Sequence, residues 1–139
     1  MTPDASSQTS ADVVILGGGS GGYAAALRAA ELGRSVIVVE KDKVGGTCLH
    51  RGCIPTKALL HAGEVADAVR DAGEIGVEAE FRGIDPARVR SYREGIVEKK
   101  YRGLQSLLKA RGIRVVEGEG RLEAGPAVRV GDTVYRGTD

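Results

Sequence analysis

The only two cysteines of this chain, Cys48 and Cys53, fall in the segment Gly45-Gly46-Thr47-Cys48-Leu49-His50-Arg51-Gly52-Cys53-Ile54-Pro55-Thr56-Lys57. A close pair of thiols can be a redox disulfide, two inert buried groups, or half of a metal site. In a regular helix, five residues rise about 7.5 Å and turn roughly 140°, which sets the Cα atoms about 8.7 Å apart. A disulfide needs a separation below about 7 Å. A bridge therefore requires distorted backbone, and Gly52 and Pro55 supply the means. The segment is expected to be irregular through Cys53 and helical from about Pro55. Both sulfurs then lie near a helix N-terminus. The positive end of the dipole, with Lys57 one turn on, favours the thiolate there. Zinc would need two further ligands. Only His50 and His61 are available, and C-x4-C-x7-H is poor zinc spacing, so no metal is expected.

A second motif stands just upstream. Gly17, Gly19 and Gly22 form G-x-G-x-x-G after the apolar run Val13-Val14-Ile15-Leu16. Gly17 permits the turn out of a strand. Gly19 removes a Cβ that would block a pyrophosphate, and Gly22 lets the following helix pack closely. Ala26 and Gly33 extend the pattern, and Glu40 ends the next apolar run, where a carboxylate can accept from ribose hydroxyls. A negative charge at that point disfavours a 2′-phosphate and so argues against NADP. Strand, loop, helix, strand and acid in this order form a dinucleotide fingerprint, with phosphates at the helix N-terminus. The fingerprint alone does not separate FAD from NAD.

The elements that must hold these groups can be read from the pattern. Residues 12–16 and 35–39 read as buried parallel strands, joined by a helix over 23–32 that Gly33 stops. Residues 41–46 form a loop. A helix from 55 to 72 carries Leu59, Leu60, Ala62, Val65, Ala66 and Val69 on one stripe, closed by Gly73. Residues 76–82 are expected to be extended. Asp85-Pro86 reads as an N-cap and first-turn proline for a helix to Arg111, with Gly112 as its stop. Val89, Tyr92, Ile96, Val97, Leu104, Leu107 and Leu108 form its apolar face. Its Arg and Lys residues read as a solvated face. Residues 113–117 form another buried strand. Residues 121–136 alternate, with Gly131-Asp132 as a hairpin turn.

Composition bounds the partners. The chain has 139 residues, which sets a prior of one domain. Its net charge of +1 gives no argument for nucleic acid or an anionic membrane. No apolar run is long enough to span a bilayer. Residues 1–11 are polar and Ser/Thr-rich, and read as a disordered tail, not a signal peptide. A cytoplasmic location is the default expectation. In a reducing cytosol, paired cysteines are more often catalytic than structural.

Taken together, Gly45 to Leu49 and Gly52 to Lys57 resemble the redox-active segment of the flavoprotein disulfide reductases (the class I pyridine nucleotide-disulfide oxidoreductases). The nearest likeness is to the dihydrolipoyl dehydrogenase branch. The resemblance runs from about residue 12 to residue 139. Where the family commonly has Asn-Val before Gly-Cys, this chain has His50-Arg51. The implied fold is α/β: a Rossmann-like FAD-binding domain over 12–139 with a parallel sheet, helices and a β-meander, incomplete at its C-terminus.

The resemblance also implies FAD over the loop of Gly17, Gly19 and Gly22, with Glu40 on the adenosine ribose. Gly46, Thr47 and Cys48 would also meet the cofactor, and main chain at Gly120 would touch the adenine. Cys53 would face the flavin and Cys48 would exchange with the dithiol substrate. Lys57 would lie near flavin N5. Protein-bound dihydrolipoyl would reduce the Cys48–Cys53 disulfide, and electrons would pass through FAD to NAD.

Implied partners are a lipoylated carrier of a 2-oxo acid dehydrogenase or glycine cleavage complex, and a second copy in the full-length homodimer. The NAD domain, the interface domain with its His–Glu pair, and an Ala-Thr-Gly-Ser flavin motif are expected beyond Asp139. An isolated 1–139 polypeptide is then expected to bind FAD weakly and to turn over no NAD. His50 is expected as a loop polar group and His61 as a helix-packing residue. Three other readings stay open. They are a mercuric or glutathione-type reductase, a non-enzymatic flavin or thiol redox module, and an NAD module with incidental cysteines.

Overall fold

The computed structural model describes residues 9–139. The elements run β1 (Val13–Leu16), α1 (Ser20–Glu31), β2 (Val36–Glu40), α2 (Gly46–His50), α3 (Cys53–Asp71), α4 (Pro86–Ala110), β3 (Arg114–Glu117), β4 (Gly120–Glu123), β5 (Ala127–Val130) and β6 (Thr133–Arg136). Where the sequence suggests one domain over 12–139, the chain divides into two compact units. One comprises the residues up to Gly46 together with Tyr101–Asp139, and the other is Thr47–Lys100.

In the first unit β1, β2 and β3 form a parallel sheet in the order β1-β2-β3. The register sets Leu16 beside Val39 and Glu40 beside Glu117. β2 is central and apolar throughout, with Val36, Ile37, Val38 and Val39 all buried. Side chains alternate along a strand, so the run feeds two cores. Val36 and Val38 meet Ala26 of α1 and Leu108 of α4, with Tyr101 and Leu104 packed alongside. Ile37 and Val39 face Val128 and Tyr135 of the antiparallel sheet β4-β5-β6. Helices, parallel sheet and antiparallel sheet thus form three layers, the α/β Rossmann-like arrangement with a β-meander. The Gly131-Asp132 turn joins β5 and β6 as expected.

Three boundaries differ from the sequence reading. α1 begins at Ser20, three residues before the expected start, because the glycine loop leads straight into its first turn. Order also begins earlier than residue 12. The Ala11 N–H donates to the Arg136 carbonyl at 3.0 Å, and the Arg136 N–H donates to the Thr9 carbonyl at 2.9 Å. Residues 9–11 therefore pair along β6, where a tail over 1–11 is expected. Residues 1–8 lie outside the described residues. In the second unit α3 ends at Asp71. A 3-10 turn, Ala72–Ile75, follows, and the left-handed Gly76, not Gly73, closes it.

The start of α4 is as expected. Asp85 Oδ1 accepts from the Ala87 and Arg88 N–H groups at 2.9 and 3.1 Å. Burial along the helices is sparser than the apolar stripes suggest. Of α3 only Ala58 and Ala66 are buried, while Leu59, Leu60 and Val65 are exposed. Tyr92 and Leu107 of α4 are exposed too.

The strand starts are clipped together by side chains. Asp12 Oδ2 accepts from the Ser35 N–H at 2.7 Å and from the Ser35 hydroxyl at 2.8 Å, and the Ser35 hydroxyl accepts from the Asp12 N–H at 2.8 Å. The Ser35 N–H first, and then its hydroxyl, hold the Asp12 carboxyl below the usual carboxylate range. A carboxyl whose folded value lies below its unfolded value binds fewer protons in the native state. Its contribution to stability is complete above the unfolded value, about 3.9, and is lost as pH falls through the lowered folded value. Asp12→Asn is therefore expected to flatten the dependence of Tm on pH below about pH 4, in a series of melts at graded acidity. An unchanged acid limb would show that Asp12 does not contribute to it.

Candidate nucleotide and dithiol sites

The glycine loop is built by close approach. Gly17 has φ +99° and turns the chain out of β1, while its N–H donates to the Val39 carbonyl at 2.7 Å. A Cβ on Gly22 would run into the Gly17 carbonyl oxygen, so the first turn of α1 can sit under the loop only with glycine there. A Cβ on Gly19 would meet nothing within 4 Å. Gly19 is the N-cap of α1 and offers no side-chain cap, so the first N–H groups of the helix are left to a ligand. Nothing acidic stands in that first turn. Gly46, at φ +60°, is seated on the same loop. Its Cβ would lie 2.8 Å from the Gly19 Cα, and the Gly45 N–H donates to the Gly18 carbonyl at 2.7 Å.

Glu40 does more than the sequence suggests. Its Oε2 accepts from the Gly18 N–H at 2.7 Å and its Oε1 accepts from the Asp42 N–H at 2.9 Å. The carboxylate clamps the glycine loop to the end of β2 and keeps further lone pairs for a ligand. The parallel register that sets Leu16 beside Val39 brings these groups within reach.

Beside the clamp lies a groove of about 280 Å³, whose walls include Gly17, Glu40, Lys41, Glu119 and Gly120. Lys41 and Glu119 escaped the sequence reading, since nothing local marks them. Their only signal is adjacency to Glu40 and to the glycine pair of β3–β4. Gly120 gains a structural reason as well. Its Cβ would press on Leu16, Val39 and Val128 at 2.5 to 2.9 Å, so glycine lets β4 close over the sheet. Open space over Gly19, unpaired helix N–H groups, a held carboxylate and this groove together fit the ADP half of a dinucleotide such as FAD.

The cysteines belong to the second unit. Cys48 lies within α2, and the Arg51 N–H closes that turn on the Thr47 carbonyl at 2.9 Å. The helix breaks at Gly52, whose φ of −124° and ψ of −111° are not helical, and α3 starts at Cys53. The Thr56 N–H makes the first bond of α3, to the Gly52 carbonyl at 3.1 Å. Pro55 therefore falls where no N–H is needed. The expected distortion is present but shorter than expected. It is confined to residues 51–52, and the helix begins two residues before Pro55.

Both thiols are free, Cys48 half-buried and Cys53 exposed. Hydrogen bonding to Cys48, then desolvation and the Cys48 charge, pushes the Cys53 thiol up, while Lys57 pulls it down by less. In the dithiol state, then, the partner sulfur outweighs the factors expected to favour the Cys53 thiolate. Alkylation of Cys53 by iodoacetamide is expected to rise with pH to a midpoint above that of a free thiol. In Cys48→Ala the midpoint should fall. Equal midpoints in the two proteins would contradict the thiol pairing.

Thr47 stands in the first turn of α2 and Lys57 one turn beyond Cys53 on α3. His50 ends α2 and is not a loop residue. His61 is no packing residue. Its side chain is 60% exposed, with Nδ1 3.4 Å from Glu64 Oε2.

The fold agrees with what the chain is similar to. A family model described as pyridine nucleotide-disulphide oxidoreductase matches residues 11–136, and the chain belongs to that family. Among its relatives is a dihydrolipoyl dehydrogenase of Bacillus subtilis (strain 168), 48% identical over 86% of this chain and 25% of the relative. Dihydrolipoyl dehydrogenase 2 of Haloarcula marismortui is 43% identical over 88% of the chain and 26% of the relative. The dihydrolipoyl dehydrogenase of Geobacillus stearothermophilus is 40% identical over 86% and 25%. The chain spans about a quarter of the length of these relatives. Among the described residues, no helix is long and apolar enough to cross a membrane.

Proposed function

We propose that this chain is the FAD- and disulfide-bearing N-terminal part of a dihydrolipoyl dehydrogenase. The observation that carries the reading is the pair of free thiols on either side of a helix break at Gly52, in a chain that also holds a complete dinucleotide loop. Cys48 serves as the exchanging thiol. A dihydrolipoyl thiolate attacks the Cys48 sulfur of the disulfide, the bond to Cys53 breaks, and Cys53 leaves as a thiolate. The second dihydrolipoyl thiol then displaces Cys48, which closes the lipoyl disulfide and leaves both cysteines reduced. Lys57 contributes positive charge one turn from the Cys53 thiolate. Bound FAD supplies the two-electron path from this dithiol to NAD.

The loop of Gly17, Gly19 and Gly22 binds the pyrophosphate, Glu40 orients the ribose, and the main chain at Gly120 borders the adenine. Gly46, Thr47 and Cys48 complete the chain's contribution to the cofactor site. The NAD site and the acid–base pair are assigned to the three quarters of the relatives' length that this chain does not span. The partners are lipoylated carriers of a 2-oxo acid dehydrogenase or glycine cleavage complex, in a homodimeric, cytoplasmic enzyme with no nucleic acid or membrane involved.

Assay of the purified protein tests the reading. The full-length protein is expected to carry yellow flavin and to form NADH from dihydrolipoamide, whereas residues 1–139 alone are expected to bind flavin weakly and to form no NADH. Faster reduction of glutathione disulfide or mercuric ion would move it to a sister activity. Bound flavin with no turnover of any of these substrates would leave a redox module.

A further inference from the structure

In the second unit, residues 77–85 run from the 3-10 turn to α4 without helix, turn or bend. Val77, Ala79 and Phe81 alternate there with Glu78, Glu80 and Arg82, the period-two pattern of a half-buried strand. A strand's partner is missing. Among the described residues, no main-chain to main-chain hydrogen bond involves any residue from Glu78 to Ile84. Phe81 ties the segment to α3. Its ring centre lies 4.1 Å from Arg70 Cζ, and it lines a groove of about 360 Å³ with Ala62, Val65, Ala66 and Val69. The ring is only half-buried, and Val65 and Ile84 at the same groove are exposed. Of the charged set, Arg82 Nη2 stands 3.0 Å from Glu80 Oε2, with the two side chains 83% and 73% exposed.

We propose that this segment pairs with its own counterpart in a second copy of the chain, antiparallel, across a two-fold axis at Phe81. Charge complementarity selects both the occupant and the register. Residues directly opposite in an antiparallel ladder share a face. Centred on Phe81, the ladder sets Glu80 of each copy against Arg82 of the other, and Ala79 against Gly83. Centred one residue earlier it would set Glu80 against Glu80, and one residue later Arg82 against Arg82. Like charges directly opposite repel. At Phe81 the two half-buried rings meet as a cross-strand aromatic pair, and the idle N–H and carbonyl groups gain partners. Gly83, at φ +129°, takes the chain out of the ladder before α4. The pairing gives a surface to the homodimer proposed above, and rests on that reading for the presence of a second copy alone.

Charge-swapped copies of the full-length protein test the pairing. Glu80→Arg alone faces itself with arginines only, and Arg82→Glu alone with glutamates only. One copy of each restores every opposite pair across the axis. Both variants lose the Glu80–Arg82 pair within the chain, so that loss does not separate them. The two are co-expressed with different tags and their dimers counted by native mass spectrometry. The mixed dimer is expected at about tenfold above its statistical share, and Glu80→Arg with Arg82→Glu in one chain should pair with itself as the parent does. A statistical mixture, or a parent that stays monomeric at micromolar concentration, would overturn the pairing. A strand from elsewhere in the longer protein on this segment would give that same statistical mixture. Statistical mixing in a protein that still oxidises dihydrolipoamide counts against the pairing and not against the dehydrogenase. Enrichment of the mixed dimer without turnover does the reverse.

Discussion

In the full-length protein, replacing Cys53 with serine is expected to lower NAD-linked oxidation of dihydrolipoamide by about 10⁴-fold or more. The proposed cycle needs a sulfur at this position twice, once as the leaving group when the disulfide opens and once to close it again. Serine keeps the size and a hydroxyl but cannot form a bridge or leave as a stable anion near neutral pH. Cys53 is exposed, so the fold should not suffer, and Tm should stay within a few degrees of the parent. Cys48→Ser should be equally inactive for a different reason, because it removes the atom that the substrate attacks. Bound flavin should persist in both proteins. The checks are steady-state NADH formation and flavin content. Turnover above a tenth of the parent rate in either variant would contradict the assignment.

The second large effect falls on Glu40. Glu40→Ala is expected to weaken FAD binding to the apoprotein by about 10- to 100-fold, from the loss of one or two charge-assisted hydrogen bonds. Two losses combine. The ribose acceptor goes, and the Gly18 and Asp42 N–H groups lose the carboxylate that holds the loop. Glu40→Gln separates them. Its amide oxygen can still accept one N–H, so its loss should be smaller than that of alanine. Fluorescence titration of the apoprotein reads both. Alanine and glutamine variants with parent-like affinity would mean that the groove beside Glu40 is not the nucleotide site.

What could be read from the sequence is what is encoded locally. The run Val36 to Val39 reads as a doubly buried strand because each face of a central strand needs apolar side chains. Asp85-Pro86 and Gly131-Asp132 are signals complete within two residues. The glycine loop is legible because each glycine answers a backbone requirement that other residue types fail. The distortion between the cysteines could be inferred from the reach of a disulfide, but its extent could not. Within residues 47–54 Gly52 is the one helix breaker, so a short α2 before the break has no separate signature.

The Glu40 clamp on Gly18 was hidden because it joins residues 22 apart in the chain and depends on the register of β1 and β2. The pairing of residues 9–11 with β6 was hidden for the same reason: polar serine and threonine give no local strand signal, and the partner lies over a hundred residues away. For the Cys53 thiol, the position of the helix N-terminus and of Lys57 was visible. The competing hydrogen bond from Cys48 appears only once the break sets the two sulfurs together.

A thiol–disulfide titration tests the central claim most directly. The purified protein is equilibrated with lipoamide and dihydrolipoamide in graded ratios, quenched, and its bridged and reduced forms counted by peptide mass spectrometry. Interconversion of positions 48 and 53 as one unit, following a two-electron curve of about 30 mV per tenfold change in ratio, is the result the account predicts. Two sulfurs that stay reduced at every ratio, or that oxidise one at a time onto other thiols, would contradict it.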